Sequence, residues 1–312
     1  MRAVLIFKLT SLLSGSRGVY LVCRRKMHIL QFSQAGRHSI GVRVDDTNII
    51  NLNDFSPDLP TDICSALCLD HKKLLTEAAR CLQSTSSRIS VDDVTLHPPI
   101  TNPGKIIGIC WNYKDLCEEV GEPLPTEPLV FSKFSSCVTG SGEIQIPSAT
   151  KELDYECELV VVISKEARNV KEADAMEHVF GYTVANDLTA SDIFNATKNG
   201  NQYLLAKSLD NFCPLFSDIV TKDEVEDVHN LNISTKVNGE VRQKSNTDQL
   251  VFRIPQLISY LSGFFTLSPG DIILTGTPGG TGMGFNPPKY IQSGDTVTIE
   301  LQNIGTLTNT FL

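Results

Sequence analysis

The chain has 312 residues, 41% apolar and 20% charged, enough for one large domain or two smaller ones with a substantial core. Its net charge of −9, from 36 acidic against 27 basic residues, argues against a general nucleic-acid-binding role. No apolar run approaches the roughly 18 residues that a membrane-spanning helix needs, so no membrane partner is expected.

The charge is uneven. Residues 1–26 carry six Lys or Arg and no acid, the first acid being Asp45; the remainder has 21 basic against 36 acidic residues. A basic, Ser-containing, acid-free leader has the composition of a mitochondrial transit peptide, so the mitochondrial matrix is the expected compartment and the cytoplasm the alternative. Lys8 interrupts the short run Ala3–Phe7, which disfavours a secretory signal. The nine cysteines are odd in number and form no C-x-x-C pair, as suits reduced thiols rather than a disulfide framework or a zinc site.

After the leader, His28–Phe32, Ile40–Val44 and Ile49–Leu52 read as short strands, and apolar residues at helical spacing predict a helix over 63–82. These make a small unit over residues 27–100, closed by the Pro-stiffened connector His97–Pro103. The larger unit, 101–312, opens on the buried-type strand Lys105–Cys110. Residues 112–128 then read as a short helix and a lid-like loop. Further strands are expected at Leu129–Lys133, Glu143–Ile146, Tyr155–Ile163, Gly181–Asn186, Asp271–Thr275, Thr296–Leu301 and Thr306–Phe311. Helices are expected at Lys171–Val179 and Ile254–Gly263. Strands dominate without a strand–helix alternation, which predicts a β-rich α+β fold rather than a doubly wound sheet.

Within this order the stretch Leu153–Ile163 carries two carboxylates in an apolar run. On a strand, Glu156 and Glu158 point the same way, about 7 Å apart. Such a pair is either solvated at an edge or stabilised by a divalent cation or a nearby Lys or Arg. Asp187 ends the strand Tyr182–Asn186, where it either caps the following helix or faces a cavity; in the second case it supplies a third oxygen ligand for Mg²⁺ or Mn²⁺. Lys207 is the one charge after an apolar run, so it is either a surface lysine or a buried ammonium that needs a carboxylate partner and can move a proton. The strand ending at Thr275-Gly276-Thr277-Pro278 runs into a Gly-rich turn whose amides and Thr277 hydroxyl can grip a carboxylate. The six histidines are dispersed, and no nucleophilic triad follows from their spacing.

Taken in order, Asn112-Tyr113, Phe131-Ser132-Lys133, the Glu156/Glu158 strand, Gly181–Asp187, Ala206-Lys207-Ser208, Val237–Glu240, Asn246-Thr247, Pro269-Gly270-Asp271 and Thr275–Pro278 resemble the fumarylacetoacetate hydrolase superfamily from about Ile106 onward. The N-terminal unit resembles the small β-domain of the mitochondrial members of that family, most closely their second type. The resemblance implies a β-roll core, a homodimer, and Mg²⁺ or Mn²⁺, with Ca²⁺ an alternative, on Glu156, Glu158 and Asp187. It also implies Lys207 and Glu119 as catalytic groups, and Thr277, Gly276 and Lys133 as contacts to a small 2-oxo acid. Second-type members resemble oxaloacetate tautomerases; hydrolysis of acylpyruvates and decarboxylation of oxaloacetate are the family's other reactions. The chain departs from the pattern at three places: Leu116 stands at the water-activating histidine position, Ser191 at an arginine position and Phe194 at a glutamine position. A lost general base costs a hydrolase roughly 10²–10⁴-fold, whereas tautomerisation only moves a proton between carbon and oxygen. The expected activity is therefore oxaloacetate keto–enol tautomerisation. A hydrolase or decarboxylase, or a non-catalytic metal-containing binding module, are the alternatives.

Overall fold

A computed structural model describes residues 27–195 and 202–312. The leader expected at 1–26 lies outside them. The N-terminal strands are β1 (His28–Gln34), β2 (Arg37–Arg43) and β3 (Asn48–Asn51), followed by helix α1 (Ile63–Gln83). Ala35 and Gly36 both have positive φ, the backbone a two-residue hairpin turn requires, and they close β1 onto β2. The expected single helix is interrupted at Asp70, which has φ −167° and ψ 96°. Its carboxylate accepts from the Lys72 and Lys73 amides, so it caps the second half of the helix.

Strand β4 (Ile106–Cys110) leads to helix α2 (Lys114–Val120), and β5 (Leu129–Lys133) follows the loop. Then come β6 (Cys157–Ile163), β7 (Val179–Asn186), helix α3 (Tyr203–Lys207), β8 (Asp218–Thr221), β9 (Asn232–Val237), β10 (Glu240–Asn246), helix α4 (Ile254–Phe264), β11 (Ile272–Leu274), β12 (Thr296–Leu301) and β13 (Gly305–Phe311). Two expectations need correction. Lys171–Val179 holds a 3₁₀-helix, Glu172–His178, rather than an α-helix. The strand expected from Tyr155 starts only at Cys157, because Leu153-Asp154 turns away to pair with Thr189-Ala190. The hairpin β9–β10 and strand β8 were not foreseen, although Asn238-Gly239, both at positive φ, is a hairpin turn in sequence as well as in structure.

The large sheet runs β3-β2-β1-β8-β7-β6-β11-β4-β5, with Ile89–Ser90 beyond β3 and Thr95–His97 on β1. Pairing of β1 with β8 carries it from the N-terminal strands into the rest of the chain, and only β11–β4 is parallel. The smaller sheet orders β10-β9-β12-β13 and ends on Gly142–Ile144. The core lies between the sheets and under α1 and α4. All seven residues of β6 and all eight of β7 are buried, the mark of central strands covered on both faces. Among the described residues no helix is long and apolar enough to cross a membrane, and all eight described cysteines are free.

Candidate metal centre

Strands β6 and β7 pair antiparallel, Cys157 opposite Asn186 and Glu158 opposite Ala185, so the start of one meets the end of the other. Beyond the last pair the Asp187 amide donates to the Glu156 carbonyl at 2.8 Å, and the Asn186 side chain accepts from the Glu156 amide at 3.0 Å. These bonds fix the two residues flanking the strands. One oxygen from each of Glu156, Glu158 and Asp187 then lies within 4.8 Å of the others. The three carboxylates anticipated from the sequence thus converge, although Glu156 sits just before the strand rather than in it.

Two lysines face them. Lys207, 3% exposed, donates to Glu156 Oε1 at 2.8 Å and to Asp187 Oδ2 at 2.7 Å. Lys133 donates to Asp187 Oδ1 at 2.5 Å and to the Leu188 carbonyl at 3.1 Å. Burial pushes Glu158 well above the ordinary carboxylate range, and the neighbouring charges of Asp187 and Glu156 push it the same way. Burial also raises Glu156, with Lys207 opposing. For Asp187 burial acts upward too, but Lys133 and Lys207 outweigh it and hold the group low. Burial alone would lower Lys207; Asp187 and Glu156 raise it instead, so it is an ammonium. When all three carboxylates are ionised they outnumber the two ammoniums, which is why Glu158 is pushed upward, and the donors are all hard oxygens. That set fits a divalent cation.

The surrounding side chains hold this arrangement. Thr189 Oγ1 donates to Glu156 Oε1 at 2.7 Å, and the Gly276 amide donates to Glu158 Oε2 at 2.5 Å. Gly276 has φ +106°, and a Cβ there would lie 2.8 Å from Asn112 Cβ, so a side chain is excluded on both counts. Gln243 on β10, which no local sequence pattern marks, receives the Cys157 amide and the Thr235 hydroxyl on Oε1. Its Nε2 donates to Thr277 Oγ1 at 2.8 Å, which sets the orientation of that hydroxyl.

The Gly-rich segment behaves differently from expectation. Its amides do not form an open anion cradle, because the chain's own carboxylates take them. Glu158 takes Gly276, Asp115 takes Gly279 at 3.4 Å, Glu119 takes Gly280 at 2.8 Å, and Asp154 takes Gly282 at 2.6 Å and Met283 at 2.8 Å. Asp115 also accepts from the Ser245 hydroxyl. Residues 276–283 are thereby strapped to α2, β6 and β10.

Beside the carboxylates lies a cavity lined by Glu156, Thr189, Lys207, Thr277 and Thr281 on its polar side. Trp111, Leu116, Val120, Phe131, Phe194 and Met283 are among its apolar walls. Leu116 and Phe194, at the departure positions, are therefore wall residues. Ser191, the third, is fully buried. Phe131 is cross-strand from Gly108, whose absent side chain leaves the ring room, and the ring lies 4.9 Å from Lys207 Nζ. Of the residues expected to contact substrate, Thr277 lines the cavity, while Lys133 and Gly276 are engaged on Asp187 and Glu158. Glu119 is engaged on Gly280.

Residues 105–312 match the family model described as fumarylacetoacetate (FAA) hydrolase, C-terminal. The chain is 45% identical over 287 residues to the mitochondrial oxaloacetate tautomerase of Xenopus laevis, covering 91% of this chain and 89% of that one. It is 41% identical over 291 residues to a mitochondrial oxaloacetate tautomerase of Homo sapiens, covering 91% of each. Among solved structures it is similar to fumarylacetoacetate hydrolase from Exiguobacterium antarcticum, with TM-score 0.77 and 31% identity over 91% of this chain and 99% of that one. It is also similar to maleylpyruvate hydrolase from Sphingobium sp. SYK-6, in complex with manganese(II) and pyruvate, with TM-score 0.74 and 28% identity over 92% of this chain and 99% of that one.

Proposed function

The chain belongs to the fumarylacetoacetate hydrolase family, and on that premise we propose that it is a divalent-metal-dependent keto–enol tautomerase of 2-oxo acids, acting on oxaloacetate as its named relatives do. The observation that carries this reading is the cavity itself. It sets Lys207 and the carboxylate group at one side, with Leu116 lining the wall where a hydrolase of this family needs its water-activating histidine. The cation is Mg²⁺ or Mn²⁺, with Ca²⁺ an alternative, on Glu156, Glu158 and Asp187. When bound, it supplies the Lewis acidity that makes the C–H beside a 2-oxo acid's carbonyl easier to ionise.

The chain's own groups do the rest. Lys207 donates a proton to the carbonyl oxygen and takes one back from C3. The C3–H electron pair forms the C2=C3 bond, the carbonyl π pair moves to oxygen, and nothing is oxidised or reduced. Thr277, oriented by Gln243, donates to the substrate carboxylate. Lys133 and Gly276 hold ligands in place rather than touching substrate, and Glu119 positions the Gly-rich segment. We further propose a homodimer, supported by the exposed apolar residues Leu129, Val130 and Phe134 on and beside the edge strand β5 and Leu204 and Leu205 on α3. A mitochondrial location is supported by the composition of residues 1–26 and by the relatives' names.

One assay separates the possibilities. With Mg²⁺ or Mn²⁺, enol-oxaloacetate loss, pyruvate release and acylpyruvate cleavage are followed on the wild type and on Glu158→Ala. Metal-dependent enol loss without pyruvate, absent in Glu158→Ala, supports the tautomerase. Pyruvate release or acylpyruvate cleavage at comparable rate would favour a decarboxylase or hydrolase, and silence in all three channels would leave a binding module.

A further inference from the structure

The same cavity constrains the far end of the substrate, and the inference rests on the tautomerase reading above. We propose that this chain prefers 2-oxo monocarboxylic acids bearing an apolar group on C3, such as arylpyruvates, over dicarboxylic oxaloacetate. Two observations carry the proposal.

The first is charge. Glu156, Glu158 and Asp187 contribute −3 and Lys133 and Lys207 contribute +2, so a divalent cation brings the ionised site to +1. One substrate carboxylate neutralises that. A second carboxylate brings the complex to −1, and it needs a cation of its own. Among the described residues lining the cavity Lys207 is the one cation; two of its three protons go to Glu156 and Asp187, and the third serves the reacting carbonyl.

The second is the wall. Away from the carboxylates the lining includes Trp111, Leu116, Val120, Phe194 and Met283, with Thr281 as its polar exception. Phe194 packs edge-to-face against Tyr203, with ring centroids 4.7 Å apart at 78°, which fixes this part of the wall. Trp111 sits at φ +56°, a conformation uncommon for a bulky residue, which turns the chain at the end of β4 beside the cavity. Among the described residues of this wall a carboxylate finds no cation and only neutral donors such as the Thr281 hydroxyl, whereas an aryl or branched alkyl group gains from burial. Leu116 and Phe194, which replace polar residues of the family pattern, contribute to this apolar character.

The test compares phenylpyruvate with oxaloacetate in the full chain with Mg²⁺, by keto–enol interconversion and by titration calorimetry of each acid. The expected result is a kcat/KM and an affinity favouring phenylpyruvate by about tenfold or more. Val120→Lys, a half-exposed rim position at the C-terminal end of α2, is expected to move that ratio toward oxaloacetate by about tenfold. Equal or better handling of oxaloacetate, or a ratio unmoved by Val120→Lys, overturns the proposal. If neither acid is turned over, the tautomerase reading fails, but the calorimetry still decides: tighter phenylpyruvate upholds the apolar subsite and tighter oxaloacetate overturns it.

Discussion

Replacing Lys207 with methionine keeps most of the side-chain volume and removes the ammonium that faces both Glu156 and Asp187. Both contacts are within hydrogen-bond distance and the lysine is 3% exposed, so the two carboxylates lose a desolvated partner rather than a screened one. Breaking a buried pair in this way costs about 3–5 kcal/mol. Unfolding entropy is roughly 2.1 cal/mol/K per residue, so for a chain of 312 residues each 1 kcal/mol moves the Tm by about 1.5 °C. Lys207→Met is therefore expected to lower the Tm by about 5–8 °C in chelator. A divalent cation between the same carboxylates replaces the missing charge, so saturating Mg²⁺ should recover most of the deficit. The assay is thermal unfolding of both proteins with chelator and with Mg²⁺. Lys165→Met serves as control, since its pair with Glu177 is solvent-exposed and screened. A Lys207→Met deficit no larger than the control, or one indifferent to Mg²⁺, would mean that the carboxylates do not depend on this ammonium.

Three other outcomes are expected. Glu119→Gln retains an oxygen to accept the Gly280 amide and should keep most of the activity, whereas Glu119→Ala should lose about 10–100-fold; steady-state kinetics showing the two equally crippled would make Glu119 a proton-transfer group instead. Asp218 is buried, yet hydrogen bonds from Arg43 and His28 hold it at about 2, so its stabilisation is full above its unfolded value near 3.8 and is lost as pH falls through about 2. Asp218→Asn should accordingly cost about 2–3 kcal/mol at neutral pH and progressively less toward pH 2, read as converging denaturation midpoints; a gap independent of pH would contradict this. Gly108→Ala places a methyl 2.0 Å from the Phe131 ring and should destabilise the protein by about 1–3 kcal/mol while raising KM, because that ring packs against Lys207; an unchanged KM would detach Phe131 from the site.

The parts of this protein visible in its sequence are those written in local pattern. Glu156, Glu158 and Asp187 stood out because carboxylates at a two-residue period, and at a strand end, conflict with the apolar runs around them. Lys207 stood out for the same reason. What was hidden depends on pairing between distant segments. Gln243 reaches the site only because β10 is brought alongside Cys157 and Thr277. The amides of residues 276–283 looked available because Asp115, Glu119 and Asp154, which satisfy them, lie more than a hundred residues away. The early start expected for β6 failed because Leu153-Asp154 has strand composition but a different partner, Thr189-Ala190. Glu172–His178 is rich in Ala, Glu and Met, yet it adopts 3₁₀ geometry and Val179 already belongs to β7.

The function proposed for this site requires Glu156, Glu158 and Asp187 to share one divalent cation. Titration calorimetry of Mn²⁺ into the wild type and into Glu158→Gln tests it most directly, because the substitution removes one ligand charge while keeping the side-chain shape and an oxygen that can accept the Gly276 amide. One ion per chain is expected in the wild type, with an affinity at least about 100-fold weaker in the variant. Equal Mn²⁺ binding by the two proteins would contradict it.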